Sequence, residues 1–188
     1  MASKNVKSSK DPVELFYERR ITVNRQKKQL IYVKLNDFSH NFIIIQCGIL
    51  FVVALFLIGI QIGIMVHKTQ LFYIATGFWM ALVYFLCCFG LLILINSKSY
   101  GKLMATLSLH ILAIIVSIGG IITNIFDMAL FNVKCINACD IYSSQYLNLM
   151  IIIFSSIALI STLVFLAAIE YYILRESRHL NIFLENRR

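Results

Sequence analysis

The stretch from Phe42 to Val66, FIIIQCGILFVVALFLIGIQIGIMV, runs for 25 residues without a charged side chain. A helix of about 20 apolar residues is long enough to cross the hydrocarbon core of a bilayer. Three further stretches of this kind follow, at Leu71–Ile95, Leu103–Phe126 and Leu147–Leu174. A mean hydropathy of +0.81 with 60% hydrophobic residues excludes an ordinary soluble domain. The sequence therefore predicts an all-α, polytopic membrane protein, built as a four-transmembrane-helix bundle.

The basic residues lie almost entirely outside these stretches and divide unevenly between the connections. Residues 1–40 hold nine Lys and Arg, residues 96–102 hold two and residues 175–188 hold four, whereas Lys68 and Lys134 are the other two. Because cytoplasmic segments retain Lys and Arg, we expect both termini and residues 96–102 in the cytosol, and the outer loop at 131–146 on the other side. The net charge of +8 then reflects topology and attraction to anionic lipid. No nucleic-acid-binding module accompanies it, so nucleic acid is not an expected partner.

The basic tail at residues 1–40 contains one segment with helix signals. Asp11, Pro12 and Glu14 fit an N-cap, a first helical residue and a capping box. The apolar residues that follow share one helical face: Val13, Phe16, Tyr17 and Ile21. This pattern favours a short basic amphipathic helix at 11–23 in the headgroup layer. A solvated, mostly disordered tail and a partner-binding helix are the alternatives.

Six polar side chains lie within or at the ends of the predicted spans, where an unpaired polar group costs several kcal/mol. They are Gln46, Gln61, His110, Asn124, Asp127 and Glu170. We expect the amides to form hydrogen bonds between helices, His110 to be a neutral bundle histidine, and Glu170 to reach the interface beside Arg175. A cation pathway usually needs several carboxylates at similar depth, whereas Asp127 and Glu170 lie near opposite surfaces. No metal site is predicted.

Small residues indicate where helices can approach closely. Gly59 and Gly63 form a GxxxG motif in the first span, and a similar stripe occupies the third, at Ala113, Ser117 and Gly120. Whether these contacts lie within one chain or between chains is open at this point.

Five cysteines divide between two environments. Cys135 and Cys139 lie four residues apart in the predicted outer loop, where an oxidising environment favours a small disulfide ring. The other three, Cys47, Cys87 and Cys88, lie within the spans and are interpreted as small packing residues.

Several short motifs occur in a recognisable order: Ile45-Gln46, Gly77-Phe78-Trp79, Gly90-Leu91-Leu92-Ile93, Ser97-Lys98-Ser99 with Lys102, and Leu107-Ser108-Leu109. In this order they resemble the membrane-spanning four-domain subfamily A over roughly residues 42–131. The resemblance implies a tetraspan bundle of the plasma membrane or an endomembrane that oligomerises and associates with receptors, and in some members supports cation flux. Gly77 departs from the family pattern, which has Pro at that position.

No nucleophile, phosphate loop or metal cluster indicates an enzyme or a cofactor. Two functions remain. The first is a non-enzymatic accessory or organising subunit of a membrane receptor or protein complex, whose partners are the lipid bilayer and other membrane proteins in a homo- or hetero-oligomer. The second is an oligomeric cation channel or channel modulator, which requires the polar span residues to face a shared aqueous axis.

Overall fold

Five α-helices and one π-helical turn form the regular structure in the computed structural model, which describes residues 12–67, 75–134 and 141–174. No strand occurs in these three ranges. The elements are α1 Pro12–Asp37, α2 His40–His67, α3 Thr76–Asn96, α4 Tyr100–Lys134 and α5 Ile141–Ile169, which continues into the π-helical turn Glu170–Leu174.

The four helices α2 to α5 contain stretches long and apolar enough to cross a membrane. These stretches are His40–Val66, Thr76–Asn96, Tyr100–Ala129 and Gln145–Ile173. The predicted fold class, an all-α multi-pass membrane protein with four spans, is therefore confirmed.

The outer loop expected at residues 131–146 is shorter than predicted. Helix α4 continues to Lys134 and α5 begins at Ile141, so both helices extend into the range predicted to be loop. The reason lies in composition, because residues 127–134 and 141–146 contain neither Gly nor Pro and include good helix formers such as Met, Ala and Leu. Hydropathy falls there, but helical propensity does not.

The spanning helices pack in a ring that follows chain order. Helix α2 contacts α3 and α5, and α4 contacts the same two helices. On α4 the buried residues are spaced alternately by three and four: Leu103, Thr106, His110, Ala113, Ser117, Gly120, Asn124 and Asp127. Such a seam, with about 3.5 residues per repeat, is typical of helix bundles with knobs-into-holes packing. Large apolar side chains such as Ile111, Ile115 and Phe126 point outward.

Helix α1 packs against one end of this ring. Ile31 and Leu35, one turn apart, are fully buried. Phe38 follows them and makes edge contacts with the rings of Phe42 and Tyr172, at centroid distances of 5.7 and 6.2 Å. We call this end the α1 end, and the end where α2 and α4 finish the distal end.

The helix expected at residues 11–23 is thus the first half of a longer one. Its second half is helical because residues 24–37 contain no helix breaker and because Ile31 and Leu35 gain burial against the bundle. In the first half Val13, Tyr17 and Ile21 are each about 60% exposed, on one stripe of the helix. The three described residues of the predicted face are therefore exposed on one side of the helix, whereas the Phe16 side chain lies outside the described part.

Candidate functional site

Buried polar side chains converge at the distal end of the bundle. Gln61 comes from α2, Asn124 and Asp127 from α4, and Asn148 from α5. Together with Ile64, Thr76 and Thr123 they line a cavity of about 10 Å³. This volume is close to that needed for one water-sized occupant. We call it the distal polar cavity.

Asp127 is the ionisable residue of the distal polar cavity. It is only 4% exposed. Its Oδ2 accepts a hydrogen bond from Asn148 Nδ2 at 2.6 Å, whereas Oδ1 has no hydrogen-bonding partner in the described part of the chain. A buried polar atom without a partner costs free energy, so a ligand bound to Oδ1 would stabilise the folded chain.

The amides around the cavity are held by the backbone. Gln61 Oε1 accepts a hydrogen bond from the backbone N–H of Gly77 at 2.8 Å, which ties α2 to the first turn of α3. Asn124 Nδ2 donates to the Gly120 carbonyl, one turn earlier on α4, at 2.7 Å. These bonds fix the orientation of both amides before anything enters the cavity.

A second buried polar group lies toward the α1 end. The Nδ1–H of His110 donates to the Thr106 carbonyl at 2.8 Å, and Nε2 has no partner among the described residues. The imidazole stacks on Phe165 of α5 at 4.5 Å. Three His, Cys, Asp or Glu side chains placed to hold a metal ion do not occur together in the described ranges.

A further buried polar side chain, Gln46, lies on α2. Its Oε1 accepts a hydrogen bond from Ser161 Oγ of α5 at 2.6 Å. Its Nε2 has no partner in the part of the chain that the structure describes, and the same holds for the hydroxyl of Thr162. Gln46 therefore links α2 to α5, in the role that the sequence suggested for the span amides.

Sequence reasoning missed the polar residues of α5. Asn148, Ser155 and Thr162 are buried and recur every seven residues. The polar residues on the adjacent α4 have the same period: His110, Ser117 and Asn124. A seven-residue recurrence of polar side chains in two apolar stretches was a signal available in the sequence, since it marks one inward face on each helix.

The small residues predicted on the third span lie between α4 and α3. The hydroxyls of Ser117 and Tyr84 are 2.7 Å apart and share a hydrogen bond. Ala113 is fully buried, and a Cβ added at Gly120 would overlap the Met80 side chain. At Gly77 the obstruction is backbone rather than a flexible side chain, since a Cβ would lie 2.9 Å from the Leu57 carbonyl oxygen on α2.

The GxxxG motif of α2 behaves differently. A Cβ added at Gly59 would meet nothing within 4 Å, and one at Gly63 would meet only the Leu147 methyl groups, at 3.5 Å. Gly59 opens instead onto an apolar groove of about 470 Å³ on the outside of α2 and α5. Its other lining residues are Val52, Leu55, Phe56, Ile60 and Leu147. We call it the Gly59 groove. Of the two alternatives left open for Gly59, a close contact with another described helix of the same chain does not occur, and an interface between chains stays a prediction.

The remaining predicted residues are peripheral or outside the described ranges. Glu170 is exposed and begins the π-helical turn, whereas Arg175 lies outside the described residues. Cys135 and Cys139 also lie outside them, so their disulfide stays a prediction. The span cysteines pack against backbone, as Cys88 Sγ donates to the Cys47 carbonyl at 3.3 Å.

Comparison with known proteins adds no relative. No family model, curated protein or solved structure matches the chain. The resemblance to the membrane-spanning four-domain subfamily A therefore stays a prediction, and function has to be argued from the geometry of the bundle.

Proposed function

We propose that this chain is a non-enzymatic tetraspan membrane protein that acts as an accessory or organising subunit of a membrane receptor or protein complex. The observation that carries the proposal is the Gly59 groove. It lies on the outward surface of two spanning helices and is lined by apolar side chains and one glycine.

Gly59 shares its open surroundings with Gly48, Gly101 and Gly119, but of these four only Gly59 lines the Gly59 groove. Gly lowers helix stability by about 0.5–1 kcal/mol relative to Ala, and contacts with the described residues do not offset this cost at Gly59. Membrane helices associate through small residues that let two backbones approach. A partner helix seated at Gly59 would gain that approach, and the surrounding Leu55 and Phe56 would supply dispersion contacts.

The interior of the bundle supports the same function. Its polar groups bond mainly to one another or to nearby carbonyls, as in the pairs Tyr84–Ser117 and Gln46–Ser161. The distal polar cavity holds about one water-sized occupant. Such hydrogen bonds stabilise helix packing, whereas ion conduction needs polar groups along a continuous wet path.

Placement in the membrane belongs to the proposal as well. We place both termini in the cytosol, and the protein in the plasma membrane or an endomembrane. Basic side chains at the α1 end support this orientation: Lys98 donates to the Asn36 carbonyl at 2.9 Å, and the Lys28 ammonium lies 5.9 Å from the Tyr100 ring centroid.

The test compares two outward glycines. Gly59→Leu fills the Gly59 groove, and Gly119→Leu is the matched control, because a Cβ at Gly119 also meets nothing within 4 Å. Both variants and the wild type are extracted from cells in native nanodiscs, and the mass of each complex is measured. We expect the wild type and Gly119→Leu to retain a second protein chain, identical or different, and Gly59→Leu to lose it. A wild type that is always a single chain with lipid, or a Gly59→Leu complex of unchanged mass, would contradict the proposal.

A second function is favoured by one observation, the polar residues that recur along the inward faces of α4 and α5, with Asp127 at one end. An oligomeric cation channel or channel modulator would use them along a conducting path. Liposomes containing the purified protein are expected to show no more cation flux than empty liposomes. Flux that disappears in Asp127→Ala or Gln61→Leu, with assembly intact, would favour the channel.

A further inference from the structure

The distal polar cavity contains a carboxyl group whose hydrogen bonding the described residues do not complete. Asp127 is 4% exposed, and its hydrogen-bonding partner there is a neutral amide, Asn148. An ionised carboxylate in a membrane-spanning bundle is costly unless a cation or several donors neutralise it. Oδ1 has no donor at all in the described ranges. A ligand in the cavity would satisfy this oxygen.

The neighbouring amides have carbonyl oxygens that could serve as ligands. Asn124 Nδ2 is committed to the Gly120 carbonyl, and Asn148 Nδ2 to Asp127 itself. The carbonyl oxygen of each amide is the acceptor that remains, and Gln61 Oε1 keeps a second lone pair beside its bond from Gly77. The cavity thus combines one carboxylate with up to three neutral carbonyl oxygens, the donor set that hard cations prefer.

Size and charge narrow the choice of occupant. A volume of about 10 Å³ admits one ion without its water shell, whereas Mg²⁺ keeps several waters. One carboxylate among neutral ligands balances a single positive charge.

We infer that the distal polar cavity binds one dehydrated monovalent cation of the sodium class, held by the Asp127 carboxylate and by amide oxygens of Gln61, Asn124 and Asn148. The site stands independently of the proposed accessory function, because a bound ion that neutralises Asp127 stabilises the packing of α2, α4 and α5 whether or not a partner chain is present. It is a single resident ion, not a conduction path.

The experiment uses the full chain, purified in mild detergent and exchanged into choline chloride at constant ionic strength. Radioactive Na⁺ binding is measured at equilibrium, and thermal unfolding is followed by fluorescence of Trp79, the one tryptophan of the chain. We expect about one Na⁺ per chain, displaced by unlabelled Na⁺ and Li⁺ but not by choline. Unfolding should shift upward by about 5–10 °C at a Na⁺ concentration 100 times the Kd.

Two variants locate the ion. Asp127→Asn keeps the size of the side chain and removes its charge, and should lower Na⁺ affinity at least about tenfold, since the ion loses its anionic ligand. Glu170→Gln removes a carboxylate on the exposed turn at the other end of the bundle, and should bind Na⁺ as the wild type does.

Either of two results would overturn the site. One is a wild type that retains no Na⁺ and unfolds at the same temperature in sodium and choline, which would assign the cavity to water. The other is Na⁺ binding that survives in Asp127→Asn. If Asp127→Asn does not fold, wild-type stoichiometry and displacement by Li⁺ still decide whether the ion binds, and Asn124→Ala, which keeps the carboxylate, should then weaken binding.

Discussion

Two regions of this bundle use small residues in opposite ways. At the contact of α3 with its neighbours, Gly77 and Gly120 allow side chains and backbone of another helix to approach so closely that a single added methyl group would overlap them. On the outer surface of α2, Gly59 has the spacing of a helix-contact motif, yet a Cβ added there would meet no described residue within 4 Å. The same residue type is thus a packing requirement in one region and an unused opening in the other.

The difference follows from the rotation of α2. Successive residues on a helix are about 100° apart, so Gly59 lies about 200° from Gln61, two residues away. Gln61 is buried and bonded to Gly77, which turns Gly59 toward the outside. A polar side chain that must be satisfied therefore orients a membrane helix more reliably than a GxxxG spacing does.

The largest expected effect belongs to Gly77→Ala. Its new methyl group would lie 2.9 Å from the Leu57 carbonyl oxygen, a backbone atom that cannot rotate away. We expect the free energy of unfolding to fall by about 3 kcal/mol, the upper end of the usual cost of overpacking. Unfolding in detergent, followed by Trp79 fluorescence, measures it. Gly101→Ala is the control, because a Cβ there meets nothing within 4 Å. Equal stability of the two variants would show that α2 and α3 are farther apart than described.

Gly120→Ala should be milder, because its methyl group would collide with Met80, a flexible side chain that can adopt another rotamer. We expect a loss of about 1–2 kcal/mol in the same measurement. The double-mutant cycle with Met80→Ala tests the assignment, since removing the obstructing side chain should make Gly120→Ala nearly free of cost. Additive losses in the double variant would mean that the two residues are not in contact.

Tyr84→Phe examines the hydrogen bond between α3 and α4 without changing packing volume. Ser117 keeps its bond to the Ala113 carbonyl, at 2.6 Å, so the substitution leaves no hydroxyl without a partner. We therefore expect a loss of only about 1 kcal/mol. Combining it with Ser117→Ala should add little, because both changes remove the same bond. A loss from Tyr84→Phe that exceeds that of Gly77→Ala would reverse the order of contributions argued above.

The four spans could be predicted because a run of about 20 apolar residues is the sequence signal of a membrane-spanning helix. The ends of α4 and α5 could not, since residues 127–134 lose hydropathy while keeping helix-forming side chains. Gln61, Asn124 and Asp127 were recognised as the polar residues that matter, but nothing in the sequence showed that they meet Asn148 in one cavity. The hydrophobicity of α2 could not predict whether Gly59 faces the lipid or the bundle, because a membrane helix is apolar on both faces.

The smallest expected effect is also the one that separates the two regions most clearly. Gly59→Ala adds a methyl group to open space and replaces a residue with low helix propensity, so stability of the isolated chain should stay the same or rise by up to about 0.5–1 kcal/mol. If the Gly59 groove receives a partner helix, the same methyl group would obstruct that approach, and the wild type should exceed Gly59→Ala in complex formation measured in native nanodiscs. Stability and assembly would then change in opposite directions at Gly59, whereas at Gly77 stability alone would fall. A Gly59→Ala chain that is destabilised as strongly as Gly77→Ala would show that α2 is rotated from the orientation described, and would place both glycines inside the bundle.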